Sequence, residues 1–225
     1  MPECRLEYKP LSDEVAKTNA ARLEEANARE LEALKQRREA GKAKLLHDAD
    51  VPKRLLENSS HVNFSNLWGE RCNKLVGRTG DGFLYGLIGI NGTGKSQMGV
   101  ALIKYAIDVS RTCLFVHAPE LTESIKDVYR ADDGSTVLDQ MQNFYKPQLL
   151  VIDEVNTQSM NETDIKYLHR IVCRRYDDMT DTLLISNDNK TDFQKLVGDR
   201  VVSRMIETGG IIEANWPSFR KAGGR

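Results

Sequence analysis

The octapeptide Gly-Ile-Asn-Gly-Thr-Gly-Lys-Ser, from Gly89 to Ser96, is the stretch of this 225-residue chain whose residues most clearly predict chemistry. It completes the pattern G-x-x-x-x-G-K-[ST], a phosphate-binding loop when it follows a strand and opens a helix. Its glycines let backbone N–H groups turn toward phosphate oxygens, and the helix N-terminus adds partial positive charge. We expect Lys95 to reach the β and γ phosphates of a nucleotide and Ser96 to bind Mg²⁺. The predicted nucleotide contacts are Gly89, Asn91, Gly92, Thr93, Gly94, Lys95, Ser96 and Gln97.

An acidic pair ends a second apolar run. In Leu-Leu-Val-Ile-Asp-Glu-Val, four apolar residues precede Asp153 and Glu154. The run predicts a buried strand with both carboxylates at its carboxyl end, where ligands bind in open α/β sheets. We expect Asp153 to hold Mg²⁺ through water and Glu154 to orient and polarise the attacking water. A kinase often lacks the second carboxylate because its nucleophile comes from the substrate, so the pair favours hydrolysis.

Further polar residues could complete such a site. Asn187 follows the apolar run Thr182–Ser186, where its amide could hold the attacking water or the γ-phosphate. Arg200 and Arg204 are four residues apart and share one helix face. An arginine from a neighbouring molecule neutralises charge in the phosphoryl-transfer transition state, although ordinary surface charge is an equal interpretation for Arg200. Arg220 lies near the C-terminus, in Asn-Trp-Pro-Ser-Phe-Arg.

The elements that must position these residues alternate along the chain. Short apolar runs that predict strands are separated by longer amphipathic stretches that predict helices. This alternation is typical of an α/β fold with a mostly parallel sheet covered by helices on both faces. The predicted strands are Phe83–Gly89, Cys113–His117, Gln148–Asp153, Thr182–Ser186 and Gly210–Asn215.

Composition excludes several classes of protein. The net charge is −1, so any nucleic-acid contact requires a local basic patch. No apolar run approaches the ~20 residues of a membrane span, and the N-terminus lacks the apolar centre of a signal peptide. We therefore expect a cytoplasmic protein. The four cysteines include no C-x-x-C pair, which argues against a zinc site.

Three segments differ in composition. Residues 1–47 include a block, from about Ser12 to His47, that is rich in strong helix formers and charged pairs at helical spacing. We interpret 1–47 as a helical arm, 48–63 as a linker and 64–225 as the main domain. The apolar stripe of the arm is thin, so it is either a solvated helix packed against the main domain or a partner-binding arm.

The motifs together resemble those of the DnaC-type replicative helicase loaders of bacteria and phages, in the DnaA, DnaC and IstB branch of the AAA+ ATPases. The resemblance covers roughly Val51 to Arg220 and rests most on Leu-Val-Gly-Asp-Arg-Val-Val-Ser-Arg-Met and Asn-Trp-Pro-Ser-Phe-Arg. It implies an AAA+ P-loop NTPase core with an N-terminal helical extension. By position it implies that Asn187 is a sensor-1 residue, Arg204 an arginine finger for a neighbouring subunit, and Arg220 a sensor-2 residue.

The resemblance also implies a DNA path. Residues Pro119–Phe144 fall where these relatives carry a helical insert that lines single-stranded DNA when subunits assemble in a spiral. Lys126, Tyr129 and Arg130 lie in it, and cations with an aromatic ring suit phosphates and a stacked base. The alternative is surface charge on a helix with Tyr129 in the core.

The leading hypothesis is ATP-dependent loading of a hexameric replicative helicase onto single-stranded DNA. The arm, residues 1–47, would bind the helicase, and hydrolysis of ATP with Mg²⁺ would be weak until subunits assemble. The main alternative is an IstB-like transposition helper that acts on duplex DNA with a transposase. A small-molecule kinase and an ATP-binding adaptor with negligible turnover are further alternatives.

Overall fold

A computed structural model describes residues 13–58, 66–130, 134–156 and 158–220. Helices and strands alternate from residue 84 onward, as the sequence predicts. The helices are α1 (Asp13–Asp48), α2 (Lys53–Asn58), α3 (Leu67–Val76), α4 (Lys95–Asp108), α5 (Ala118–Asp127), α6 (Val137–Tyr145), α7 (Glu162–Asp177) and α8 (Lys190–Thr208). The strands are β1 (Leu84–Ile88), β2 (Cys113–His117), β3 (Leu149–Asp153), β4 (Asp181–Ser186) and β5 (Gly210–Glu213).

The five strands form one parallel sheet in the order β2-β3-β4-β1-β5. Every residue of β1, β3 and β4 is buried, which explains their nearly continuous apolar sequences. Strand β4 lies between β1 and β3. The order therefore puts the residues that follow β3, β4 and β1 side by side at one edge of the sheet. Local patterns in the sequence do not predict this strand order.

Helices cover both faces of the sheet. Alternate strand residues point to opposite faces, so Tyr85 and Leu87 pack in one core with α3 and α4, whereas Leu84 and Ile88 pack in a second core with α5 to α8. The predicted α/β fold with a helix-covered parallel sheet is therefore confirmed.

Two predicted helical stretches are interrupted. The stretch Pro119–Phe144 forms α5 and α6, and residues 131–133, in the predicted break between them, lie outside the described residues. The stretch Thr191–Glu207 is one helix by hydrogen bonding, but it kinks at Gly198, whose φ of 73° is left-handed. The amino-acid sequence predicts two helices in each of these stretches, with the break of the first pair at residues 131–135, and both observations agree with that prediction.

The described part of the predicted arm is a long helix that begins at Asp13, and residues 1–12 lie outside the described residues. Residue contacts divide the chain into two units between Ala43 and Lys44, within α1. All side chains from 22 to 40 are exposed, Leu23, Leu31 and Leu34 included. The three predicted pairs at helical spacing are present, although such exposed pairs stabilise a helix only slightly. They are Glu25 with Arg29, Glu32 with Gln36, and Glu39 with Lys42.

The predicted linker, 48–63, contains ordered structure that the sequence pattern did not reveal. Residues Lys53–Asn58 form α2, and Ala49 and Val51 are buried in the core beside α3 and α4. The Ala49 carbonyl accepts a hydrogen bond from the Phe115 N–H of β2 at 2.8 Å. The start of this segment is thus packed on the sheet, whereas residues 59–65 lie outside the described residues. In the part of the chain that the structure describes, no helix has the length and apolarity to cross a membrane.

Candidate functional site

The loop between β1 and α4 has the backbone that a phosphate-binding loop requires. Gly89, Gly92 and Gly94 have φ values of 139°, 84° and 78°, which residues with a Cβ rarely adopt. Gly94 is also the N-cap of α4 and supplies no side-chain hydrogen bond to the first turn. The first amide groups of α4 are therefore available to an anion, and the helix dipole favours one there.

Lys95 lies inside this loop. It is 5% exposed, and its ammonium group donates hydrogen bonds to the carbonyls of Gly89 at 2.7 Å and Ile90 at 2.8 Å. Burial lowers the pKa of Lys95 to about 8; the nearby Asp153 carboxylate opposes this shift, and the Arg220 guanidinium adds to it. Phosphate oxygens would relieve this cost because they provide negative charge where the chain provides mainly neutral carbonyls.

The other predicted loop contacts have different environments. Thr93 is buried, and its hydroxyl donates to the Ile90 carbonyl at 2.9 Å, so this side chain stabilises the loop itself. Asn91 is exposed and Ser96 is half-buried. The Gln97 amide donates to the Leu55 carbonyl of α2 at 3.2 Å. Gln97 thus connects α4 with the segment before the main domain, a contact that the sequence did not predict.

The acidic pair occupies the predicted strand end. Asp153 is buried as the last residue of β3, and its Oδ1 accepts a hydrogen bond from the Glu154 N–H at 2.8 Å. Glu154 has a φ of 60°, a strained conformation for a glutamate, and such outliers concentrate at functional sites. This turn directs the Glu154 side chain, 54% exposed, toward solvent while Asp153 remains within the sheet edge.

Two further residues lie at the same edge. Asn187 directly follows β4, the strand between β3 and β1, and is exposed there as predicted. His117, which sequence reasoning missed, ends β2 opposite Asp153 in the strand register. Its Nδ1 lies 3.9 Å from Glu154 Oε2 and, among the described residues, has no hydrogen-bond partner. The sequence does place His117 at the carboxyl end of a predicted strand, and that position could have marked it as a candidate site residue.

The C-terminal segment comes back to the phosphate-binding loop. A Cβ built on Gly92 would lie 3.1 Å from Cδ of Arg220, and the Phe219 N–H donates to the Gly92 carbonyl at 2.8 Å. Arg220 is exposed and its charge acts on Lys95. The structure therefore brings Arg220 to the loop of its own chain.

The site as a whole suits a polyphosphate with a hard cation. Free helix amides, a buried ammonium group and Arg220 provide positive charge, and the Ser96 hydroxyl and the Asp153 carboxylate are oxygen donors of the kind that Mg²⁺ prefers. Glu154 and Asn187 provide polar groups at the same edge of the sheet.

Comparison with known proteins agrees with this site. The family model described as IstB-like ATP binding protein matches residues 83–222, more than half of the chain. The chain belongs to this family. Its matched region begins just before β1 and extends past Arg220, so it includes the whole sheet and each polar residue at its edge.

Several curated relatives are named as helicase loaders. The protein named replicative helicase loader DnaC of Escherichia coli (strain K12) is 27% identical over 130 residues, which cover 57% of this chain and 53% of the relative. The protein of the same name from Buchnera aphidicola subsp. Baizongia pistaciae is 29% identical over 131 residues, 58% and 53% of the two chains. The chain thus spans about half the length of the curated relatives it matches.

Solved structures share the fold. A crystal structure of the DnaC helicase loader has a TM-score of 0.60 and 18% identity, covering 72% of this chain and 99% of that chain. The replication initiator DnaA bound to AMPPCP and single-stranded DNA has a TM-score of 0.57 and 21% identity, covering 72% and 50%. The AAA+ fold and the resemblance to DnaC-type loaders are confirmed.

Arg204 lies apart from the phosphate-binding loop in its contacts. On α8 of this IstB-like chain, its guanidinium donates to Asp177 Oδ1 at 3.0 Å and to the Cys173 carbonyl at 3.3 Å, and it lies 4.3 Å from the centre of the Tyr176 ring. Its side chain is 13% exposed. Arg200, one turn earlier, is exposed. All of these partners of Arg204 belong to α7 of the same chain. The role of Arg204 as an arginine finger for a neighbouring subunit therefore stays a prediction.

The cations of the predicted DNA path are paired within the chain. Lys126 forms an ion pair with the buried Asp164 of α7, and Arg130 pairs with Glu123 and Asp127. These partners reduce the net positive charge that a DNA phosphate would meet.

Tyr129, between these cations, is 73% exposed, so the alternative that placed it in the core is not what the structure has. Its hydroxyl lies 3.3 Å from that of Tyr167 on α7. An exposed ring is available for stacking with a base.

Proposed function

We propose that this chain binds ATP with Mg²⁺ and uses its hydrolysis to load a hexameric replicative helicase onto single-stranded DNA. The observation that carries the proposal is the convergence of Lys95, Asp153 and Arg220 on one sheet edge, in a chain with several curated relatives that are named replicative helicase loaders. The relatives are matched over half their length, so helicase and DNA are proposed partners.

In this proposal the loop holds the triphosphate. The amides at the start of α4 donate to phosphate oxygens, and the Lys95 ammonium exchanges its two carbonyl partners for the β and γ phosphates. Ser96 and Asp153 hold Mg²⁺, which neutralises phosphate charge when it is bound. Arg220 contacts the phosphates from the C-terminal segment of the same chain.

Glu154 is the proposed base. Its exposed carboxylate orients the attacking water, and Asn187, following the next strand, holds that water or the γ-phosphate from the other side. The His117 imidazole, 3.9 Å from this carboxylate, is placed to form a hydrogen bond with it once nucleotide is bound. This division of labour explains why one carboxylate is buried and the other exposed.

Arg204 acts in trans in the proposed assembly. Within one chain it is occupied by Asp177, the Cys173 carbonyl and Tyr176. When subunits assemble in a spiral on the helicase, a neighbour's nucleotide replaces Asp177 as the partner of the guanidinium. Hydrolysis is therefore weak in the isolated chain and rises on assembly.

The remaining surfaces serve the two macromolecular partners. The predicted arm, residues 1–47, contacts the helicase, and Leu23, Leu31 and Leu34 are exposed apolar side chains on α1 available for that contact. Tyr129 stacks with a base, and Lys126 and Arg130 exchange their carboxylate partners for DNA phosphates.

A direct test is the loading of a purified bacterial hexameric replicative helicase onto closed circular single-stranded DNA. A circle without ends requires the ring to open, so loading should depend on this chain and on ATP. Lys95→Ala should abolish loading. Arg174→Ala should not, because it removes an exposed arginine of α7 that pairs with Asp178. Equal loading with and without the chain would count against the proposal.

The second candidate function is that of a transposition helper, which the match to the IstB-like family favours. This candidate predicts that ATPase activity rises with duplex DNA and that the chain copurifies with a transposase. The loader predicts stimulation by single-stranded DNA and copurification with a helicase hexamer. Measuring ATPase activity with each DNA form at equal nucleotide concentration separates the two.

A further inference from the structure

We propose that Trp68, Trp216 and Phe219 form a clasp that holds the phosphate-binding loop in its nucleotide-competent shape, and that nucleotide binding in turn orders the C-terminal segment. The inference rests on the proposed binding of ATP and adds positioning residues and a coupling that the G-x-x-x-x-G-K-[ST] motif does not contain. The clasp comes from two distant parts of the chain, α3 and the segment after β5.

The three clasp residues hold three consecutive loop carbonyls. The Phe219 N–H donates to the Gly92 carbonyl at 2.8 Å. The Trp216 indole donates to the Thr93 carbonyl at 2.7 Å, and the Trp68 indole donates to the Gly94 carbonyl at 3.0 Å. Both indoles are almost fully buried, with 7% and 3% exposure. Buried hydrogen bonds of this kind define a geometry because leaving either partner unpaired is costly.

Peptide planarity turns these contacts into control of the phosphate cradle. In a trans peptide the carbonyl of one residue and the N–H of the next point in opposite directions. Fixing the carbonyls of residues 92–94 toward the clasp therefore fixes the N–H groups of residues 93–95 toward the opposite side of the loop. Those N–H groups are the ones that cradle phosphate oxygens in such a loop.

The close approach of the clasp also requires glycine at positions 92 and 94. A Cβ on Gly92 would lie 2.2 Å from the Ser218 hydroxyl, and a Cβ on Gly94 would lie 2.9 Å from the Trp68 Nε1. Real Cβ contacts are not that short, so a side chain at either position would push the clasp away. The same residues thus provide left-handed turns and allow α3 and the C-terminal segment to approach the backbone closely.

Local anchoring keeps the clasp residues in place. Asn66 is the N-cap of α3: its side chain accepts a hydrogen bond from the Gly69 N–H and so stabilises the first turn, which contains Trp68. Trp216 packs in the core beside α3 and α4, and Ala214 before it donates its N–H to the Ile88 carbonyl at 2.7 Å. The clasp therefore connects the loop to the sheet through groups outside the motif.

Linkage makes the effect reciprocal. If the clasp favours the loop shape that binds nucleotide, bound nucleotide must stabilise the clasp by the same free energy. The segment that carries Arg220 then becomes more ordered when the site is occupied. This gives the chain a way to report nucleotide occupancy at its C-terminal surface, where Phe219 is 56% exposed.

The test uses the full chain and conservative variants. Trp68→Phe and Trp216→Phe keep the ring and remove the indole N–H, and ATP affinity is measured by titration calorimetry with Mg²⁺. Each variant should weaken binding by about fivefold, the value of one neutral hydrogen bond, and the double variant should weaken it more. Tyr145→Phe is the matched control, because it removes a hydroxyl hydrogen bond to Met141 on α6 and should leave affinity unchanged.

A second measurement follows the wild-type chain and uses Lys95→Ala as its control. Amide hydrogen exchange at Phe219 should slow when ATP is added to the wild-type chain, and the emission of the two tryptophans, both of which contact the loop, should change. Lys95→Ala should abolish both responses because the variant cannot bind the nucleotide. A role of the clasp in general stability alone would leave exchange at Phe219 independent of ATP.

The outcomes separate the two proposals. If wild-type chain binds ATP but both tryptophan variants bind it equally well and exchange at Phe219 does not respond, the clasp inference is overturned and ATP binding stands. If the wild-type chain does not bind ATP, both are overturned. Weakened binding in the variants with a nucleotide-dependent exchange rate supports the clasp.

Discussion

The sheet edge with the phosphate-binding loop and the face where α7 meets α8 hold their key cations in different ways. At the sheet edge, Lys95 donates its hydrogen bonds to two neutral carbonyls, and burial lowers its pKa to about 8 although the Asp153 carboxylate lies nearby. On the other face, Arg204 already has a carboxylate, a carbonyl and an aromatic ring as partners. Among the described residues, the Lys95 ammonium group has no hydrogen bond to an anion, whereas the Arg204 guanidinium already has one.

The difference indicates two kinds of function. A buried cation that is hydrogen-bonded only to neutral carbonyls gains charge compensation when phosphate oxygens replace them. A cation that is already paired must exchange its partner, so its action depends on an event that brings a better one. We therefore expect the sheet edge to bind ATP in the isolated chain and the α7–α8 face to act only in an assembly.

The largest expected effect comes from removing the trans cation. Arg204→Ala should lower ATP turnover in the presence of helicase and single-stranded DNA by about 10³-fold, because an arginine finger stabilises transition-state charge. Arg204→Lys should recover only part of this loss, since lysine cannot contact phosphate in the same bidentate way. Steady-state ATPase assays measure both. Unchanged stimulated turnover in Arg204→Ala would exclude the finger.

The next effect should come from the sheet edge. Glu154→Gln should lower kcat by roughly 10²-fold, since the amide cannot act as a base, while the affinity for ATP is retained. Glu120→Gln, an exposed glutamate in the first turn of α5, is the matched control and should leave kcat unchanged. A Glu154→Gln variant that hydrolyses ATP normally would assign water activation to another residue.

The pH dependence of ATP binding should be smaller and specific to Lys95. Bound phosphates favour its charged form and raise its pKa above the value of about 8 in the free chain. Binding therefore takes up a proton above pH 8: affinity is full below the free-state pKa and falls as pH rises, by up to about tenfold per unit. Calorimetry between about pH 7.5 and 9.5 tests this. Lys95→Arg, which stays protonated, should flatten the profile.

The smallest effect should appear when the competing partner of Arg204 is removed. Asp177→Ala frees the guanidinium, and exposed ion pairs are worth about 0.2–1 kcal/mol, so stimulated turnover at limiting protein should rise by up to about fivefold. Asp178→Ala is the control, because it removes the neighbouring carboxylate, which pairs with Arg174 instead. A loss of activity in Asp177→Ala alone would mean that the pair positions Arg204 rather than restrains it.

Local patterns predicted much of the fold and part of the site. Four of the five strands lie within a predicted run, and β4 begins one residue before its predicted run, at Asp181. The loop and the acidic pair are motifs whose members are neighbours in sequence. The clasp could not be predicted this way, since Trp68 and Trp216 contact loop residues 26 and 123 positions away. Nor could the partners of Arg204, which depend on how α7 packs on α8.

The most direct test of a shared site is complementation between two inactive variants. Lys95→Ala cannot bind nucleotide but retains Arg204, whereas Arg204→Ala retains an intact loop but offers no finger. Mixed with helicase and single-stranded DNA, the two should give ATPase activity well above the sum of their separate activities, because one chain supplies the finger and the other the nucleotide. Activity equal to that sum at every mixing ratio would contradict a site completed by a neighbouring copy.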